Sequence, residues 1–183
     1  MRLATWVLVG FASLLLVSAG CSSSGDVKNP PQARFVDNAN GTVTDTATHL
    51  IWLKNGTCLG PKNFADATTA AAALGQGTPD GNACGLTDGS QAGQWRLPSE
   101  EGQNSPYTGA KELESILAAR YPDCTSNPCI DPIFEPTASN GYWSSSIYSD
   151  NPNAAWGVNF TEGFVGLVGK TSGIDVRTVR GGP

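Results

Sequence analysis

The stretch YWSSSIYSDNPNAAWGVNFTEGFVGLV, residues 142–168, decides the fold. Its aromatic and aliphatic residues gather in three short runs, 142–147, 155–160 and 164–168, with residues rich in Gly, Asn and Pro between them. Such clusters set the chain into turns, so the runs read as consecutive antiparallel strands. A fourth run, 176–180, follows near the C-terminus.

Toward the N-terminus the period changes. In FADATTAAAAL, residues 64–74, Phe64, Ala67, Ala71 and Leu74 fall on one helical face, Asn63 supplies the N-cap oxygen and Gly75 the stop. A second helix is expected from Ala110 to about Arg120, burying Leu113, Ile116 and Leu117. Further upstream, Phe35-Val36 and Thr42-Val43-Thr44-Asp45 flank Asp37-Asn38-Ala39-Asn40-Gly41, which reads as a hairpin closed at Asn40-Gly41. Asn and Gly tolerate the positive φ that tight hairpins need. Leu50 to Leu53 forms the next strand, with Trp52 available to the core. Two helices early and antiparallel strands clustered late make an α+β domain rather than a parallel βαβ sheet.

Composition agrees. Of 183 residues, 22 are Gly and 12 Pro, which favours short strands and many turns, and a hydrophobic share of 39% with 15% charged residues describes one folded domain. Eleven basic against sixteen acidic residues give a formal charge of −5, and the cations are scattered singly, which argues against nucleic-acid binding.

The first residues read as an export signal, 1–20. After Arg2, the apolar run 6–17 is too short to span a bilayer and suits a signal-peptide core. It ends in Val17-Ser18-Ala19-Gly20-Cys21, which resembles the lipobox of bacterial lipoproteins, with Ser18 in place of the usual Leu. On that reading Cys21 is acylated and anchors the chain to a membrane. An ordinary small-residue cleavage site is the alternative. Ser22 after the cysteine, rather than Asp, points by sorting preference to the outer membrane, facing either the periplasm or the surface. Cleavage removes only Arg2 among the charges and leaves ten basic and sixteen acidic residues, a charge of −6. Residues 21–33, with Ser22-Ser23-Ser24-Gly25 and Asn29-Pro30-Pro31, form a tether, and the domain occupies 34–181.

With Cys21 assigned to lipid, Cys58, Cys84, Cys124 and Cys129 remain, an even set suited to an oxidising compartment. Three pairings are possible. Cys124 and Cys129 lie across the turn-rich Thr125-Ser126-Asn127-Pro128, which favours a local bridge and leaves Cys58 with Cys84. Zinc is the competing use, but no C-x2-C pair exists and His49 is the single histidine, so no metal site is expected. The same shortage of bases argues against Ser-His-Asp or Cys-His catalysis, and the chain is not expected to be an enzyme.

Six blocks carry a family resemblance: Arg34-Phe35-Val36-Asp37-Asn38 through Asp45, Leu50-Ile51-Trp52-Leu53-Lys54, Trp95-Arg96-Leu97-Pro98-Ser99, Tyr142-Trp143-Ser144-Ser145-Ser146, Ala155-Trp156-Gly157-Val158-Asn159-Phe160 and Val176-Arg177-Thr178-Val179-Arg180-Gly181. Together they resemble the Lcl C-terminal domain family, catalogued as a bacterial domain of unknown function. The resemblance implies a C-type-lectin-like α+β fold, related in outline to the formylglycine-generating group, on secreted or surface-attached proteins. The founding member is a collagen-like adhesin whose C-terminal domain is linked to sulfated glycosaminoglycans. That ligand does not transfer easily, because a domain of charge −6 without a basic cluster cannot steer polyanions. The nine residues 101–109 also stand as an insertion after the Trp-Arg-Leu-Pro block, where the family pattern leads sooner into Glu-Leu.

If alternate residues of the fourth block face outward, Tyr142, Ser144 and Ser146, with Tyr148 beyond, make an aromatic platform beside hydroxyls, suited to a sugar or peptide. The competing reading puts Trp52, Trp95, Trp143 and Trp156 in the core and gives the serines a structural role. Arg96, Arg177 and Arg180 could gather into a local basic patch, or pair with carboxylates such as Asp88 and Asp175. No resident cofactor is expected; calcium is a minor option, suggested by Glu135-Pro136-Thr137 and the oxygen-rich residues 80–88, while the calcium-like turn Asp37-Asn38-Ala39-Asn40-Gly41 lacks EF-hand spacing and is explained by hairpin chemistry. Glu100, Glu101, Glu112 and Glu114 could be imagined as a glycosidase pair, but charges near a helix start explain them more simply. The expectation is an exported lipoprotein with an adhesin-like domain for a surface glycan or protein. A structural envelope protein and, behind it, an uncharacterised hydrolase are the alternatives.

Overall fold

The computed structural model describes residues 33–100 and 111–182. The signal segment, Cys21, the tether, the 101–109 insertion and Ala110 lie outside the described residues. The described residues form one compact unit.

Two antiparallel sheets and two helices carry the domain. In the first sheet, β1 (Phe35–Asp37), β2 (Thr42–Asp45) and β3 (Leu50–Leu53) run as a meander, and β7 (Val179–Gly181) returns to pair with β3, in the order β1-β2-β3-β7. The second is the meander β4 (Gly141–Ile147), β5 (Ala154–Asn159) and β6 (Phe164–Gly169). The helices α1 (Phe64–Ala73) and α2 (Pro79–Ala83) lie in the chain between them. This is a small α+β domain, stapled by Cys58–Cys84 and Cys124–Cys129 with Cα separations of 5.1 and 6.0 Å.

α1 forms where the sequence places it. The Asn63 side chain accepts from the Asp66 N–H, Ala67, Ala70 and Ala71 are buried, and Leu74 leaves the helix in an extended conformation. Phe64 meets Trp143 edge to face at 5.4 Å, which docks the start of the helix on β4.

Three expectations change in detail. The first hairpin is wider than Asn40-Gly41 implies: the Asn38 N–H donates to Thr42 O across a three-residue loop, with positive φ at Ala39 (55°) and Gly41 (85°), not at Asn40. The helix expected over 110–120 contracts to a single 3-10 turn, Glu114–Ile116. Leu113 and Ile116 are fully buried as expected, but Leu117 turns extended to bridge Ile130, and the Ala118 N–H donates to Cys129 O. A tertiary bridge beside the second disulfide thus outcompetes helical continuation. The second helix is instead α2, in a stretch of Pro, Asp, Gly and Asn with poor helix propensity. Thr78 caps it by accepting from the Gly81 N–H, Pro79 sits in its first turn, and disulfide-bonded Cys84 ends it. The last strand is also shorter than 176–180, because residues 176–178 cross between the sheets before β7 begins.

The core has two lobes. One gathers Leu53, Trp95, Leu97 and Trp143 beneath α1, and the other Trp52, Leu113, Phe134, Tyr142, Val158 and Phe160. β4 divides them: Tyr142 and Trp143 are successive residues that point to opposite faces of the sheet, and each is fully buried.

Candidate functional site

The proposed platform on β4 was built from alternate residues, and β4 does not expose its alternates near its start. Tyr142 is fully buried, meets Phe160 edge to face at 5.1 Å, and its hydroxyl accepts from the Ala138 N–H at 2.7 Å. Burial pushes its phenol up. Ser144 is fully buried too, donating to the Trp156 carbonyl at 2.8 Å. Neither lines a surface, a correction to the outward-facing arrangement. The sheet is packed on both faces here, and its register shifts between Trp143 and Ile147. Ser146 is half-buried and accepts from the Glu100 N–H, tying β4 to the segment after Trp95-Arg96-Leu97-Pro98.

Past the register shift the strand opens to solvent. Half-buried Tyr148 meets Trp156 edge to face at 5.8 Å, and its hydroxyl donates to Asp150 Oδ2 at 3.0 Å. That hydrogen bond raises the Tyr148 phenol. Trp156, half-buried, pairs across the sheet with Leu167, which is 45% exposed. Directly opposed residues share a face, so Tyr148, Trp156 and Leu167 make one apolar strip with a hydroxyl and a carboxylate at its end. Sequence reasoning found Tyr148 and assigned Trp156 to the core. Trp52, Trp95 and Trp143 are indeed buried there, the last two with their indole N–H groups on Ser90 Oγ and Lys62 O. What would have separated Trp156 is its partner strand, since a tryptophan opposite an open Gly-flanked Leu on an edge strand has little to cover it.

The three arginines do not gather into a free patch. Arg96 makes a bidentate pair with Glu112, Nη1 to Oε2 at 2.6 Å and Nη2 to Oε1 at 2.8 Å. Burial resists ionisation of Glu112, but Arg96 and the Ser99 N–H outweigh it and hold the carboxyl below its usual range. Arg180 pairs with buried Asp88 at 3.0 Å and stacks over Trp95. Arg177 pairs with no carboxylate among the described residues. It is fully buried and donates to the carbonyls of Leu53, Lys54 and Phe134 and to the Thr137 hydroxyl. Desolvation with no counter-ion lowers it to about 10. It therefore acts as a cationic staple across three chain segments and is closed to ligands.

Asp175 is buried, which raises its carboxyl, and it accepts from Asn140 Nδ2 at 2.9 Å. Of the four glutamates near the Trp-Arg-Leu-Pro block, Glu112 is tied to Arg96, Glu114 is buried and ion-paired with Arg120, Glu100 is fully buried and accepts from the Glu114 N–H, and Glu101 lies outside the described residues. Among the described residues no three His, Cys, Asp or Glu side chains cluster as metal ligands. His49 occupies a turn with φ 59°.

The fold is that of a small disulfide-stapled α+β domain, and the family is settled by sequence. The family model of the Lcl C-terminal domain matches residues 41–180, most of the chain, and the protein belongs to that family. No curated protein and no solved structure matches.

Proposed function

We propose that this protein is an exported bacterial lipoprotein, held by acyl chains on Cys21 at the cell envelope, whose domain binds a surface ligand, a glycan or a protein, through the Tyr148–Trp156–Leu167 strip. The observation that carries the reading is that strip: an aromatic pair and an exposed leucine, left open past the point where β4 buries Tyr142 and Trp143. Ring faces stack on sugars and apolar peptide groups, and the Tyr148 hydroxyl with Asp150 offers polar orientation at one end. Two disulfides support export to an oxidising compartment. Outer-membrane attachment and a C-type-lectin-like overall fold belong to the same proposal. No helix among the described residues is long and apolar enough to cross a membrane; in this proposal the acyl chains on Cys21 supply the attachment.

A glycan array probed with the full chain, disulfides intact, tests the binding half, run once with calcium and once with a chelator. Saturable binding to a defined glycan supports the module, and chelator-sensitive binding adds a calcium site. Silence on neutral, acidic and sulfated glycans alike removes the glycan reading and leaves a protein ligand or a purely structural envelope role. Metabolic labelling with a fatty acid tests the anchor: wild type incorporates label and Cys21→Ser does not. Label retained in Cys21→Ser, or absent from wild type, overturns lipidation.

A further inference from the structure

A cleft of about 400 Å³ opens on the first sheet, away from the strip on β4–β6. Ala47 and Leu50 contribute apolar wall from the β2–β3 turn, and His49, Arg96, Lys111 and Glu112 supply its charged or titratable groups. A domain of net charge −6 without a basic cluster concentrates cationic groups here, so their partners decide what the cleft accepts.

Glu112 is spent. Its Oε2 accepts from Arg96 Nη1 and the Ser99 N–H, its Oε1 from Arg96 Nη2, so that pair is internally neutral. The Lys111 ammonium reaches a carboxylate only at 3.9 Å, on Glu114, beyond hydrogen-bond distance. Glu114 is itself committed to Arg120. Asp45, under the same turn, is neutralised by Arg34 and accepts from the Ala47 N–H. The His49 imidazole makes no hydrogen bond among the described residues and is exposed on the rim. One ammonium with donors to spare therefore faces an apolar-walled cleft beside a closed Arg–Glu pair.

We propose that this cleft binds a small ligand with a single carboxylate on an apolar body. The carboxylate sits between Lys111 Nζ and the imidazole of His49, with the remaining Arg96 N–H groups within reach, and the apolar body lies against Leu50 and Ala47. A single negative charge matches the single uncommitted cation, and a charge-assisted hydrogen bond to an ammonium is stronger than a neutral one. The volume lies at the small end of ligand pockets, which suits a compact organic acid and excludes an extended polymer. The site is independent of the proposed surface-ligand strip, and its test reads different residues.

Benzoate, with benzyl alcohol as its uncharged counterpart, is titrated into isotope-labelled full chain while backbone amide resonances are followed. Saturable shifts at His49, Lys111 and Glu112 with benzoate, and none with benzyl alcohol, are expected, with Tyr148 and Trp156 unmoved. Lys111→Gln, which keeps the stem and removes the charge, weakens benzoate at least about fivefold. His49→Asn, a residue type that tolerates positive φ, provides a second variant and weakens it as well. No saturable shift at these residues, equal shifts with benzyl alcohol, or benzoate affinity unchanged in Lys111→Gln overturns the proposal.

Discussion

At the scale of single residues, the domain is held by polar groups whose partners are backbone. Arg177 joins the ends of β3, the 132–137 segment and the crossing strand by donating to three carbonyls and a hydroxyl. Arg177→Met keeps the volume and strands those carbonyls, so it is expected to lose at least about 3 kcal/mol in chemical denaturation. A loss below about 1 kcal/mol contradicts the staple. Gly56 is its companion, because a Cβ there meets the guanidinium itself. Gly41 is required for a different reason: its φ is 85° and an added Cβ stands 2.6 Å from Gly85 O. Asp175 makes a pH prediction. Its carboxyl is raised by burial, so above the unfolded value near about pH 4 the folded state holds more protons than the unfolded one. Stability from this group then falls as pH rises through that window. Asp175→Asn, which can still accept from Asn140, is expected to melt higher than wild type at neutral pH and to lose the advantage near about pH 4 in melting scans. An equal or lower melting temperature at neutral pH contradicts it. Asp45 works in the opposite sense. Burial resists its ionisation, but Arg34 and the Ala47 N–H hold the carboxyl down, and its contribution disappears as pH falls through the depressed value.

At the scale of elements, α1 was legible because an apolar face, an N-cap and a stop agreed in one short segment. Asn63→Ala removes the acceptor for the Asp66 N–H and is expected to lower stability by about 1 kcal/mol, measured by denaturant titration. Elements decided by distant contacts were not legible. The 110–120 segment has helical periodicity, yet the bridge of Leu117 to Ile130 and the bond from Ala118 to Cys129 are set by parts of the chain that periodicity cannot see. α2 has a local start signal in Thr78-Pro79-Asp80 but a poor interior of Gly and Asn, and it forms between its Thr78 cap and the Cys58–Cys84 bridge. Opening that bridge as Cys58→Ala/Cys84→Ala is expected to cost about 3 kcal/mol in the loop-entropy view, visible as a lower denaturation midpoint. An unchanged midpoint would show that α2 is held by its cap and packing alone.

At the scale of the whole molecule, the α+β class, the disulfide pairing and the family were readable because turn chemistry, cysteine count and ordered blocks are local properties of the chain. The candidate site was half readable. Tyr148 came from its place beyond Ser146, whereas Tyr142 and Ser144 were misplaced because alternation along one strand presumes one wet face, and both faces of β4 are packed where they sit. Trp156 was hidden for the converse reason: its exposure depends on Leu167 and the open edge of β6. Among the described residues Trp52, Trp95 and Trp143 are buried, and Trp156 is left half-buried beside Tyr148. The measurement that bears most directly on this account compares wild-type chain, Trp156→Ala and Tyr148→Ala on one glycan array, with each protein's melting temperature recorded alongside. The account predicts saturable binding by wild type and at least about a tenfold loss in both variants while they remain folded, as expected when an aromatic anchor is truncated. Binding unchanged in the folded variants, or silence from wild type across the array, would contradict it.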